Sequence, residues 1–121
     1  MNKRILAVDD DLAILEVLKE ILEYYGYDVN TLSTGTTIFN KIDEFHPDLI
    51  LLDIMLAGMD GREICKNLKQ GTDTRLIPVI LISATHDVKQ SINNFGAPDD
   101  YLPKPFDISN LLNKVKHQLA A

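Results

Sequence analysis

Residues 49–61 read Leu-Ile-Leu-Leu-Asp-Ile-Met-Leu-Ala-Gly-Met-Asp-Gly. Four aliphatic residues, Leu49, Ile50, Leu51 and Leu52, run without a break into one carboxylate, Asp53, and a turn containing Gly58 and Gly61 follows. An unbroken Leu/Ile run of this length reads as a strand buried on both faces, as in a parallel sheet. In open α/β sheets the functional crevice lies beyond the carboxyl ends of the strands. Asp53 is therefore expected at such an end, with its carboxylate in the crevice. A lone aspartate after a strand more often just starts a turn, so what the other strands end in decides between the two.

Working outward, residues 4–8 (RILAV) form a short apolar strand that runs into Asp9, Asp10 and Asp11. Asp11 suits the N-cap of a helix carrying Leu15, Leu18, Leu22 and Tyr25 on one stripe, and Gly26 suits its end. Residues 27–32 make a second strand with Val29 as its core residue. Ser33 or Thr34 is expected to cap a second helix with Ile38, Phe39, Ile42 and Phe45 facing inward, ended by Pro47. Beyond the central strand, a third helix starts near Asp60 and buries Ile64, Cys65 and Leu68. Residues 79–83 (VILIS) form another strand, and residues 88–95 a short fourth helix ended by Gly96. Asp100, Tyr101 and Leu102 give a last strand leading into Pro103-Lys104-Pro105, and Asp107 caps a final helix with Ile108, Leu111, Leu112, Val115 and Leu119 at helical spacing. Five strands alternate with five helices in this pattern, which implies right-handed βαβ crossovers and a parallel sheet covered on both faces, a doubly wound α/β domain.

The composition narrows the function. At 121 residues, 45% hydrophobic and 25% charged, the chain is sized for one domain spanning residues 1–121. No apolar run approaches the roughly 20 residues of a membrane span, and the N-terminus lacks the apolar core of a signal peptide, so a cytoplasmic protein is expected. A net charge of -6 argues against direct binding of nucleic acid or an anionic membrane. The lone Cys65 cannot form an internal disulfide and sits at a core position of its helix. His46, His86 and His117 lack metal-ligand spacing.

The strand ends carry the chemistry. Asp9 and Asp10 follow the first strand, Asp53 ends the third, Ser83 ends the fourth and Lys104 follows the fifth. Carboxylates converging on one crevice repel one another unless a cation joins them. Hard oxygen ligands suit Mg²⁺, which takes one or two carboxylates, waters and phosphate oxygens. Lys104 and the Ser83 hydroxyl offer a point charge and a hydrogen bond to an anion. Together these features predict a pocket in which Asp53 becomes, or neighbours, a phosphorylated group.

The segments VDDD (residues 8–11), LLDIMLAGMDG (51–61), ISA (82–84) and DDYLPKPF (99–106) resemble a response-regulator receiver domain, the phosphoaccepting module of two-component signalling. The resemblance covers essentially the whole chain and implies a CheY-like, flavodoxin-like (βα)5 three-layer sandwich with strand order 2-1-3-4-5. It makes Asp53 the phosphoacceptor, Asp10 a direct ligand of Mg²⁺ (or Mn²⁺), and Asp9 the carboxylate that holds metal-bound water. The backbone carbonyl of Met55 joins Asp53 and Asp10 in the metal shell. Ser83 resembles the switch hydroxyl, Tyr101 the aromatic that moves with it, and Lys104 the phosphoryl-pairing lysine, preceding a cis Lys104-Pro105 bond. The implied donor is a sensor histidine kinase or a histidine phosphotransfer protein. The implied output surface is the fourth helix, fifth strand and fifth helix, in a monomer or a phosphorylation-dependent homodimer. Such a protein modifies itself and is not an enzyme acting on a separate substrate. Two positions depart from the family: Ala57 stands where proline is common, and Gly96-Ala97-Pro98-Asp99-Asp100 is one residue longer than the usual run.

The same ingredients could serve an aspartyl-phosphate phosphatase of the haloacid-dehalogenase type. Those enzymes have an Asp-x-Asp nucleophile strand, whereas Ile54 and Met55 follow Asp53 here, and no segment is left for a substrate-holding cap. A dinucleotide-binding or flavodoxin-like module is disfavoured because the turn after the first strand is acidic and lacks G-x-G-x-x-G.

Overall fold

In the computed structural model, which describes residues 2–84 and 97–120, the apolar runs pair side by side. Strands β1 (Arg4–Val8), β2 (Asp28–Leu32), β3 (Leu49–Asp53), β4 (Val79–Ser83) and β5 (Asp100–Pro103) form a five-stranded sheet in the order β2-β1-β3-β4-β5, with every pair parallel. This is the CheY-like order that the family resemblance implied. Winding reverses between β1 and β3, so their carboxyl ends flank the crevice of the fold.

Helices α1 (Leu12–Tyr24), α2 (Ile38–Phe45), α3 (Gly61–Gln70) and a C-terminal helix (Ile108–Leu119) cover the sheet. The alternating side chains of the strands feed two separate cores. Ile5, Ala7, Leu49, Leu51, Ile80, Ile82 and Leu102 pack with α1 and the C-terminal helix. Leu6, Val8, Ile50, Leu52, Val79 and Leu81 pack with α2 and α3. Leu49 to Leu52 are all 0% exposed, and burial of each such side chain is worth roughly 2 kcal/mol. Three helices start as anticipated, because an aspartate accepts a free N–H of the first turn: Asp11 from Ala13 at 3.0 Å, Asp60 from Arg62 at 2.8 Å and Asp107 from Asn110 at 2.6 Å.

Several local expectations need correcting. The second helix begins at Ile38 with Thr37 in the cap position and no side-chain cap bond, while the Thr34 hydroxyl is engaged with Thr36 instead. It ends before Pro47, at Phe45, with His46 in the left-handed region at φ 54°. Tyr25, Phe39 and Ile108, expected on inner faces, are 51%, 45% and 49% exposed. Residues Met55–Leu56 and Met59–Asp60 form a short antiparallel hairpin that the sequence did not suggest. The expected fourth helix, at residues 88–95, lies outside the described residues. Among the described residues, no helix is long and apolar enough to cross a membrane.

Candidate functional site

Register places the chemistry. Val8 is level with Leu52, Asp53 with Ile82, and Ser83 with Pro103. Asp9 and Asp10 leave β1 where β3 ends in Asp53, and Lys104 leaves β5 next to Ser83, to whose carbonyl its backbone N–H donates at 2.7 Å. The Lys104-Pro105 peptide is cis, as the resemblance implied.

Asp9, Asp53 and Ser83 are almost wholly buried, whereas Asp10 is exposed. Asp9, Asp10 and Asp53 each present a carboxylate oxygen within 4.8 Å of the others. Lys104 Nζ lies 3.2 Å from Asp9 Oδ2 and 3.5 Å from Asp53 Oδ1. Asp9 Oδ1 is held from the other side by the Asp11 N–H at 2.9 Å. Burial, and next the neighbouring Asp9 charge, push the Asp53 carboxyl above its ordinary range; Lys104 and the Met55 N–H pull it down. Among the described residues, the cluster sets three carboxylates against one lysine, Lys104, which pairs with Asp9 and Asp53. Its hard oxygen donors and its unbalanced charge both fit a divalent cation.

Two residues shape the rim, Gly61, which the sequence showed only as a turn residue, and Asp60. The Gly61 N–H donates to Ile54 O at 2.7 Å, and a Cβ on Gly61 would run into Asp53 O and come within 2.8 Å of Ile54 Cα. Only glycine lets α3 start this close to the end of β3. Asp60 both caps α3 and pairs with Arg62 at 2.9 Å, and the Arg62 bond is the main cause holding its carboxyl below the ordinary range. Next to these lies an open depression of about 730 Å³, lined by Asp10, the 54–60 segment and Arg62. The side chain of Met55 stands exposed at its edge.

Tyr101 is level with Leu81 and packs, half-buried, against the α2/α3 core. It lies on the strand that leads to Lys104, and its backbone N–H donates to Asp100 Oδ1 at 2.8 Å. Cys65 is outside the site: it is fully buried in α3, and desolvation pushes its thiol up to about 11, which leaves it unreactive at neutral pH.

Comparison with known proteins meets this geometry. The model of the response regulator receiver domain matches residues 5–116. Response regulator MprA of Mycobacterium leprae is 36% identical over 114 residues, covering 93% of this chain and 49% of MprA. MprA of Mycobacterium tuberculosis is 36% identical over 117 residues, covering 96% of this chain and 50% of its own length. The chain thus spans about half the length of the curated relatives it matches. Among solved structures, a CheY-like receiver domain protein of Methanospirillum hungatei superposes with a TM-score of 0.88 at 33% identity, covering 99% of this chain and 95% of that one. The response regulator TrrA of Thermotoga maritima, in complex with Mg²⁺-BeF, gives 0.85 at 33% identity, covering 97% and 99%. With the strand order, the acidic cluster at the switch point and a family match over nearly its full length, the chain belongs to the response regulator receiver domain family of two-component signalling.

Proposed function

We propose that this chain accepts a phosphoryl group on Asp53 from a phosphohistidine of a sensor histidine kinase or histidine phosphotransfer protein. The observation that carries this is the placement of Lys104 Nζ, 3.5 Å from Asp53 Oδ1 and 3.2 Å from Asp9, in a crevice where Asp53 is nearly buried. A carboxylate oxygen of Asp53 attacks phosphorus in line. The P–N bond to the donor imidazole breaks as the O–P bond forms, and the imidazole leaves with the bonding pair. Positioning and charge neutralisation supply most of the catalysis in such transfers. Asp9, Asp10, Asp53 and the Met55 carbonyl would hold Mg²⁺ (or Mn²⁺), which when bound neutralises phosphoryl oxygens beside the acid cluster.

Lys104 already faces the acceptor, so it can follow a phosphoryl oxygen with little movement. The added oxygens also recruit the Ser83 hydroxyl, and Tyr101 responds on the neighbouring strand. The surface that changes includes β5 and the C-terminal helix and presents itself to an output domain or protein. Hydrolysis of the acyl phosphate returns Asp53 to its carboxylate and ends the signal.

Intact mass after incubation with Mg²⁺ and acetyl phosphate tests this. One added phosphoryl group is expected in the wild type, and none in Asp53→Asn or with the metal chelated. Equal incorporation in Asp53→Asn would remove Asp53 as the acceptor.

A further inference from the structure

The C-terminal helix buries Leu111, Leu112 and Val115 in the core shared with α1, whereas Tyr101 packs on the opposite side of the sheet, toward α2 and α3. Strand β5 is the last in the sheet order, so its outer edge is the place where a side chain can pass from one side to the other. Lys114 does so. Its Nζ lies 5.5 Å from the Tyr101 ring centroid and 3.1 Å from Asp100 Oδ1. The same Asp100 oxygen accepts the Tyr101 backbone N–H at 2.8 Å. One carboxylate oxygen therefore fixes both the backbone of Tyr101 and the cation that sits over its ring. A long lysine stem lying over apolar surface with its charge at the edge suits this crossing. With side chains only 25% and 24% exposed, Lys114 and Asp100 are better shielded than an ordinary surface pair.

We propose that Lys114 is a positioning residue for Tyr101, holding the ring in its resting place. Through Tyr101 it sets how readily the domain responds to the phosphoryl group. This rests on the role proposed above for Tyr101. The C-terminal helix thereby becomes part of the resting restraint as well as part of the surface that changes. A cation held over an aromatic ring at a partly exposed site shifts a two-state equilibrium by about two- to five-fold, so the restraint tunes the threshold without locking the switch.

The test uses the 121-residue chain labelled with 3-fluorotyrosine, with Tyr101→Phe to assign the Tyr101 resonance, and Mg²⁺ with beryllofluoride as the phosphoryl mimic. The Tyr101 resonance in Lys114→Met, which keeps the apolar stem and loses the charge, is expected to move toward its beryllofluoride-bound position before any beryllofluoride is added. The half-point for beryllofluoride should fall about two- to five-fold. Lys114→Arg, which keeps a cation over the ring, should retain wild-type values of both. A merely structural role would lower thermal stability in Lys114→Met without moving either quantity. A resting resonance and half-point unchanged in Lys114→Met would overturn the proposal, as would an Lys114→Arg variant that behaves like Lys114→Met. If the wild-type Tyr101 resonance ignores beryllofluoride although the protein binds it, the role given to Tyr101 fails, and the coupling to the switch fails with it. Absence of any beryllofluoride binding would instead count against the phosphoacceptor site.

Discussion

The two edges of the sheet use the same residue type for opposite ends. At the amino edge, Asp48 Oδ2 accepts the N–H of Arg4, the first residue of β1, at 2.8 Å. Asp99 Oδ2 accepts the N–H of Val79, the first residue of β4, at 2.8 Å, and pairs with Lys69 Nζ at 2.6 Å. Lys69 also donates to Ile77 O at 2.9 Å. Each of these carboxylates has its own backbone donor, so its charge is spent on holding strands in place. At the carboxyl edge the N–H groups of Asp11 and Met55 likewise reach Asp9 and Asp53, but Asp9, Asp10 and Asp53 crowd within 4.8 Å and, among the described residues, one lysine, Lys104, pairs with only two of the three. Like charges crowded together in a buried crevice are what a ligand-binding site needs, and well-separated carboxylates each bound to a strand N–H are what a scaffold needs.

Substitution can test how separate the edges are. The largest effect is expected where the scaffold meets the site, at Gly61. In Gly61→Ala the new Cβ collides with the Asp53 carbonyl and the Ile54 Cα. Both are backbone and cannot rotate aside. Destabilisation by about 3 kcal/mol or more is expected, with phosphoryl uptake falling because Asp53, the proposed acceptor, must shift. Urea denaturation with intact mass checks both, and wild-type values would mean α3 can retreat without disturbing β3. A smaller and purely structural loss is expected for Asp99→Ala. It leaves the Val79 N–H without its carboxylate and Lys69 without its counter-ion, at a cost of about 2–3 kcal/mol. Phosphoryl uptake at a temperature where the variant stays folded should match the wild type. Uptake lost along with stability would show that the two edges are coupled.

What the sequence made legible follows from the range of each interaction. Strands β1, β3 and β4 have the bounds expected from their unbroken apolar runs, since burial on both faces leaves no alternative to a central strand. The Asp caps at 11, 60 and 107 were readable because a cap bond spans only two or three residues. Helical spacing did not show where an apolar stripe stops. Phe39 is turned about 100° from the buried Ile38 and faces solvent, Tyr25 lies just past the last turn of α1, and Ile108 opens the final helix before it meets the core. The site's residue types could be read from four strand ends, and the strand order brings them together. Partnerships across 95 residues, as between Lys104 and Asp9, or 30, as between Lys69 and Asp99, leave no local pattern and needed the fold to appear. So did Gly61, whose necessity lies in how closely α3 approaches β3.

The charge contrast itself is sharpened by Asp53→Asn in the absence of divalent cations. Burial and the Asp9 charge raise the Asp53 carboxyl above its ordinary 3.8, so folding favours the uncharged form. Below pH 3.8 the group is protonated in both the folded and unfolded chains and costs nothing. As the pH rises through the folded value, the wild type loses stability relative to the variant, because only its unfolded chain ionises freely. An amide of the same shape carries no such penalty, so the variant should be more stable by on the order of 1 kcal/mol at neutral pH, a few degrees in Tm. That advantage should vanish toward pH 3.8. Adding Mg²⁺ should narrow the gap by stabilising the wild type more than the variant, since a ligand that binds only the folded state stabilises it in proportion to its affinity. Urea denaturation from pH 4 to 8, with chelator and then with Mg²⁺, reads both trends. The same substitution at the satisfied edge, Asp99→Asn, should destabilise at neutral pH, because Lys69 loses its counter-ion there. If Asp53→Asn and Asp99→Asn shift stability in the same direction, the carboxyl edge is not the charge-strained one, and its acidic cluster is held by contacts other than those that raise Asp53.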